Sequence, residues 1–241
     1  MNGRQPPPYF SSVRDRSRQR WDQLESDPEL AGPWKQLFGQ VQSPRHVLSE
    51  LLQNADDVGA RTVRASVRDG RFTFEHDGKD FDEDEFASLC RFGFSNKRKL
   101  HTIGFRGVGF KSTFSLGEPV EVLTPSLAVQ FHKRRFTEPV WIHDAPPCDV
   151  TRIAVKVQDP NRERELRKNL QEWGESPASL LLFNNINELT IDDVTLRKQP
   201  IGPGPVPSSE RIRLVGHGEH DVLLFASPEE PFPDEAVGEI R

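Results

Sequence analysis

Two stretches of the 241-residue chain combine residue types and spacings suited to chemistry on a polyanion. In ELLQNADD, Glu50 and Asn54 stand at i and i+4 and share one helix face, so a carboxylate and an amide oxygen can converge on one bound species. A carboxylate there can act as general base toward water, and an amide carbonyl is a suitable hard ligand for Mg2+. Taken alone, Glu50, Asn54 and Asp57 read more simply as a solvated face. The second stretch is the glycine cluster IGFRGVGFKS, residues 103–112. It is not a P-loop, because Phe110 intervenes between Gly109 and Lys111. It is not a dinucleotide fingerprint either, because Ser112 stands where the last glycine belongs and no parallel βαβ unit surrounds it. What remains is a turn stripped of side chains at Gly104, Gly107 and Gly109 that leads into KSTFSL, and exposed N–H groups at a helix start suit a phosphate. A plain structural turn explains the cluster alone equally well.

These residues need elements to hold them. Residues 44–58, PRHVLSELLQNADDV, are the most periodic in the chain: Leu48, Leu51, Leu52 and Ala55 fall on one side of a helix, Glu50, Asn54 and Asp57 on the other, with Gly59 as its stop. TVRASV and RFTFEH, joined through Asp69-Gly70, predict a β-hairpin. Asp82 and Glu85 form a D-x-x-E capping box for a short helix closed at Gly93. Residues 75–85 are strongly acidic, whereas 91–111 carry Arg91, Lys97, Arg98, Lys99, Arg106 and Lys111 with no acid, which adds attraction for a triphosphate. Farther on, PVEVL, LAVQF, PVWI, TRIAVKV, SLLLF and ELTID read as strands and RERELRKNLQEWG as a helix. PIGPGPVPSS, residues 200–209, reads as a loop before two more strands, RIRLVG and DVLLFA.

Composition narrows the classes. At 34% hydrophobic and 29% charged, with a net charge of −5, the chain fits one compact domain with sizeable surface segments and no global attraction for nucleic acid. It has no apolar run long enough for a membrane span and no apolar leader, which makes a cytoplasmic protein the expectation. Cys90 and Cys148 lack metal-ligand spacing, and Cys90 is expected to be buried and inert. The tryptophans, including Trp21, Trp34, Trp141 and Trp173, are expected to pack rather than stack on bases, and His46 and His101 to be surface or capping groups.

Taken in order, ELLQNADD, the hairpin ending in HDGKDF, the basic stretch, IGFRGVGFKS and TRIAVKV resemble the ATP-binding domain of the GHKL superfamily, which includes DNA gyrase, MutL, histidine kinases and the large heat-shock chaperone. ELLQNADD, IGFRGVGFKSTF and SLLLFNNINELTI look most like its sacsin-type branch, over about residues 40–195. The resemblance implies an α/β (α+β) two-layer sandwich: a mixed, largely antiparallel sheet with helices on one face, the Bergerat-type ATP-binding fold. A flexible or loosely packed arm over 1–20, within which a polar helix could start near Ser11, would precede an ATP-binding domain over 21–199. Residues 200–241 would be a Pro/Gly loop and strands that end at a boundary within a longer protein.

It also implies roles. Glu50 matches the catalytic Glu that activates water, Asn54 the ligand of a Mg2+ bridging the phosphates, and Asp57 an acid behind them. The loop closing over the phosphates corresponds to Gly104, Gly107, Val108, Gly109 and Phe110, with Lys111 and Ser112 at its helix end. Residues from about Phe86 to His101 correspond to a mobile lid from which Lys97 reaches a phosphate, and Thr151 to the threonine that helps hold adenine. One motif departs from the pattern. The adenine-reading D-x-G-x-G is here His76-Asp77-Gly78-Lys79-Asp80, and Val150 replaces the glycine before Thr151. Asp77 could take over the base contact through a one-residue bulge, the preferred alternative, or His76 could face the base through its acceptor nitrogen.

The implied activity is Mg2+-dependent binding and slow hydrolysis of ATP. Lid closure would couple nucleotide state to a protein partner or further domains, in a chaperone-like or defence-type role. The alternative is a nucleotide-binding or nucleotide-free scaffold without catalysis. Dimerisation through the ATP domain is common in the superfamily, so a homodimer is among the implications. For a histidine kinase the first 40 residues are too short and too broken by proline to form the two-helix dimerisation hairpin that carries the phosphoacceptor, and nucleic-acid binding through Lys97-Arg98-Lys99 is set aside as a solvated loop.

Overall fold

The computed structural model describes residues 4–27, 29, 44–91 and 110–225. Alternation of apolar and polar residues builds one ten-stranded sheet in the order β10-β9-β8-β7-β1-β2-β6-β3-β4-β5. Its strands are β1 Thr62–Arg68, β2 Arg71–His76, β3 Val120–Leu123, β4 Ala128–Phe131, β5 Val140–Trp141, β6 Thr151–Lys156, β7 Glu188–Ile191, β8 Val194–Pro203, β9 Ser209–Val215 and β10 Glu219–Phe225. Only β1 and β7 run parallel; every other neighbouring pair is antiparallel. The molecule is thus a mixed α/β structure on a largely antiparallel sheet, as expected.

The register sorts the side chains into rows. Ile191, Ala65, Phe74, Ile153, Val122, Val129 and Trp141 lie across from one another on seven strands, and Val67, Phe72, Val155, Val120 and Phe131 form a second row. All are buried. Residues between these rows point to the other face, where ion pairs Glu75–Arg152 and Glu188–Arg197 bridge adjacent strands and Arg71–Glu121 reaches from β2 across β6 to β3, all in partial contact with solvent. One face of the sheet is therefore core, and the helices cover it.

Among the described residues four α-helices do so: α1 Phe10–Ser26, α2 Val47–Asp57, α3 Glu83–Leu89 and α4 Pro160–Gly174. In α2, Leu48, Leu51, Leu52 and Ala55 are wholly or almost wholly buried; each leucine contributes about 2 kcal/mol of apolar burial. Gly59, at φ +74°, takes the left-handed position that ends the helix. The Asp69-Gly70 turn has both residues at positive φ, 51° and 69°, as a two-residue hairpin requires. The capping box of α3 is complete: Asp82 accepts from Glu85 N at 2.9 Å and Glu85 accepts from Asp82 N at 3.0 Å.

Three stretches differ from expectation. Residues 10–26 form a packed helix rather than the tail of a loose arm. Phe10 stands edge-on to Trp141 at 5.2 Å, and Trp21 packs on Phe136 at 5.1 Å and donates to Thr137 Oγ1 at 2.8 Å. The stripe Phe10, Val13, Ser17, Trp21, Leu24 repeats every three to four residues, but it is sparse in a polar sequence, which hides it. SLLLF is not a strand: residues Pro177–Leu182 form a 3-10 helix started by Pro177 and capped by the Ser176 hydroxyl, and Leu182 is exposed. A short apolar run has no period of its own to decide between the two. Finally, β8 extends through Pro200 and Pro203, inside the expected loop. β7 pairs with β8 only over Val194–Arg197, so both prolines lie where that side of β8 has no neighbour needing their missing N–H. β8 also crosses residue 199, so the strands after it continue the same sheet.

Candidate functional site

Helix α2 presents Glu50 and Asn54 half-buried, one turn apart, with Asp57 exposed farther on. Its apolar side fixes this orientation, because the four buried residues cannot turn away from the sheet. The 3-10 helix Phe110–Ser115 packs beside α2, so Phe110, Lys111 and Ser112 join the same neighbourhood, all buried. Lys97, Gly104, Gly107, Val108 and Gly109 lie outside the described residues, as do Trp34, Gly93, His101 and the expected lid beyond Arg91.

Lys111 points inward. It is 1% exposed, its ammonium donates to the Leu89 carbonyl at the end of α3, and it lies over the rings of Phe110 at 5.0 Å and Phe131 at 5.6 Å. Burial pushes its pKa down to about 8, against a small opposing pull from Cys90. Cys90 is itself buried, and burial pushes its thiol up to about 12, which leaves it a protonated, inert packing group.

The far end of α2 meets the end of β2. Lys79 N donates to Val58 O at 3.0 Å, and Gly78 lies so close that a Cβ there would come within 2.7 Å of Val58 Cγ2 and 3.1 Å of Val58 O. Only glycine allows this approach, which brings His76-Asp77-Gly78 against the helix that carries Asn54 and Glu50. The ladder runs through His76 without a bulge: His76 lies opposite Val63 on β1 and Thr151 on β6. His76 and Thr151 thus share the buried face, at 7% and 1% exposure.

His76 Nδ1 accepts from Gly78 N at 3.2 Å, and burial drives its pKa down to about 4, with Asp77 pulling the other way. Thr151 Oγ1 is buried and has no hydrogen-bond partner. Asp77 is exposed and turned back: its Oδ1 accepts from Arg61 N at 2.8 Å and Thr62 N at 2.9 Å, capping the start of β1. Partial burial raises its pKa, but these amides outweigh that and hold it below the usual carboxylate range.

Sequence reasoning missed Asp56, one residue before Asp57. Its carboxylate accepts from Asn185 N at 2.7 Å and from Asn184 N and Ile186 N at 3.1 Å each, and its carbonyl accepts from Asn185 Nδ2 at 2.9 Å. Lys198 is buried beside this segment and donates to Phe183 O at 2.6 Å; burial lowers its pKa while Asp56 opposes the shift. The signal was present as a second acid on the apolar side of the α2 wheel.

Taken together, α2 carries a carboxylate in its first turn and an amide one turn on, and its C-terminal end meets Gly78 and Lys79, just past the buried histidine that pairs with the strand of the orphan hydroxyl. From Glu50 to Val58 the helix advances about 12 Å, comparable with the reach of a nucleotide from base to terminal phosphate. Among the described residues no group of three or more His, Cys, Asp or Glu side chains could hold a metal by itself, and no helix is long and apolar enough to cross a membrane. Comparison with protein-family models finds no match for this chain, and comparison with curated proteins finds none.

Proposed function

We propose that this chain is a Mg2+-dependent ATP-binding module of GHKL type, with a Bergerat-type two-layer fold close to the sacsin branch, that hydrolyses ATP slowly. The observation that carries this reading is the polar line along α2: Glu50 and Asn54, then the His76–Thr151 pair at its C-terminal end, where a buried hydroxyl lacks a partner. An unsatisfied buried hydroxyl costs about 1–3 kcal/mol, a cost that a bound base would relieve.

Glu50 is the general base that orients and deprotonates the attacking water. Asn54 supplies one neutral oxygen to Mg2+. That fits an ion which takes few protein ligands and completes its shell with phosphate oxygens and water, and which offsets phosphate charge when bound. Nucleotide state would be coupled to a protein partner or to further domains through closure of the segment after α3, in a chaperone-like or defence-type role, and a homodimer through this domain belongs to the same reading. A second reading is a nucleotide-binding or nucleotide-free scaffold without turnover. The burial of the Lys111 ammonium on Leu89 O favours it, since a cation so held does not face a phosphate.

Thermal unfolding with Mg2+ and ATP separates the two. A ligand at a hundred times its Kd adds about 2.7 kcal/mol, which raises Tm by roughly 5–10 °C for a chain of this size, and Asn54→Ala should abolish the rise. Glu50→Gln should retain the rise and lose hydrolysis by about a hundredfold or more. A Tm shift without any Glu50-dependent hydrolysis leaves a binding scaffold, and no shift with any nucleotide leaves a nucleotide-free one.

A further inference from the structure

We propose that His76, together with Thr151, reads the base as a hydrogen-bond donor, so that the site accepts 6-amino and 6-oxo purine nucleotides alike. This inference rests on the nucleotide reading above and concerns which base that site takes.

It begins with the row in which the pair stands. Leu196, Leu189, Val63, His76 and Thr151 are neighbours across five strands. Three are apolar core residues; the last two are polar, side by side and buried on the helix-covered face. A polar pair at the end of an apolar row normally closes on itself or on the backbone. Here it does not: among the described residues Thr151 Oγ1 has no partner, and the only hydrogen bond to the His76 ring is at Nδ1.

The Nδ1 contact sets the tautomer. Gly78 N–H donates to Nδ1, so that nitrogen is the acceptor, and the neutral ring carries its proton on Nε2. Burial keeps the ring neutral at ordinary pH. His76 therefore offers a fixed donor, while the Thr151 hydroxyl can turn to donate or accept. Asp77 offers nothing here, because strand alternation sends it off this row and both Arg61 N and Thr62 N occupy its Oδ1.

A fixed donor beside a hydroxyl matches two kinds of purine edge. On a 6-amino purine the imidazole donates to the ring nitrogen N1 and the hydroxyl accepts from the amine. A 6-oxo purine fits only when turned over in the site, so that the order along its edge reverses: the imidazole then donates to O6 and the hydroxyl accepts from N1–H. A carboxylate in place of the imidazole would accept from the amine and repel the carbonyl, imposing a choice that His76 does not.

The test is equilibrium binding of ATP, GTP and ITP with Mg2+ to the wild-type chain and to His76→Asp, Asp77→Asn and Asn54→Ala, with circular dichroism to establish folding. Wild type should bind ATP and GTP within about tenfold of each other, His76→Asp should shift the ratio toward ATP by about tenfold or more, and Asp77→Asn should leave it unchanged. Wild-type selectivity for ATP beyond about a hundredfold overturns the proposal, as does a ratio that follows Asp77 and not His76. If His76→Asp does not fold, the wild-type ratio alone decides. Binding that Asn54→Ala abolishes, with a base ratio contrary to these, removes this inference and leaves the nucleotide reading intact; no binding of any nucleotide removes both.

Discussion

Two buried polar clusters lie at the C-terminal end of α2, and they are built differently. At Asp56 the carboxylate accepts from three consecutive backbone N–H groups and Asn185 returns a fourth bond to the Asp56 carbonyl. At His76–Thr151 one ring nitrogen is tied to Gly78 N while the adjacent hydroxyl goes unsatisfied. The first cluster is closed and joins the helix to the segment leading into β7; the second is open. Most buried polar groups are satisfied within the fold; among the described residues Thr151 Oγ1 is left without a partner, as are Ser115 Oγ, Ser126 Oγ and Asn169 Oδ1, and Thr151 alone of these stands beside a second buried polar side chain in the same row of the sheet.

The largest expected effect breaks the closed cluster. Asp56→Ala strands three amides, that of Ile186 buried and those of Asn184 and Asn185 partly so, and should cost about 3 kcal/mol, a fall in Tm of roughly 6–12 °C, with the ratio of ATP to GTP affinity unchanged wherever the variant still binds. Denaturant unfolding together with nucleotide titration checks both halves.

Acid should act next, on the open cluster. The unfolded chain binds a proton at His76 near 6.5, whereas the folded chain binds it only near 4. The contribution of keeping this ring neutral is fully present above about pH 6.5 and is lost as pH falls toward 4, at most about 3 kcal/mol. Urea unfolding of wild type and His76→Gln between pH 7.5 and 4.5 should show a steeper loss in wild type. Parallel curves would mean that His76 titrates normally and that its environment is not closed to water.

The smallest effect is the sharpest in sign. Thr151→Val removes a hydroxyl with no partner, so stability should stay level or rise by up to about 1 kcal/mol, while nucleotide affinity falls. Affinity and stability would thus move in opposite directions, which no substitution in the Asp56 cluster should produce.

Much of this architecture was legible in local sequence. The α2 wheel, the Asp69-Gly70 turn, the Asp82/Glu85 box and most strands follow from periodicity and turn chemistry acting over a few residues. The Glu50 and Asn54 pairing was legible for the same reason, since one helical turn relates them. The misreadings at 177–182 and 200–203 share another cause: a short apolar run and a proline-rich strand take their conformation from neighbours distant in sequence, Leu180 from the core and β8 from β9. Lys111 was equally out of reach, because nothing in GFKS says that the ammonium turns toward a carbonyl 22 residues earlier.

By itself, the sequence determined which residues line α2, where the hairpin turns and which acid caps α3, because each depends on contacts within a turn or two of chain. Whether His76 or Asp77 enters the buried row, which of Asp56 and Asp57 is the anchor, and where the Lys111 charge rests were decided only by the tertiary structure. Each depends on strand register and on partners 15 to 130 residues away, and a shift of one residue in a strand exchanges the buried face for the solvated one.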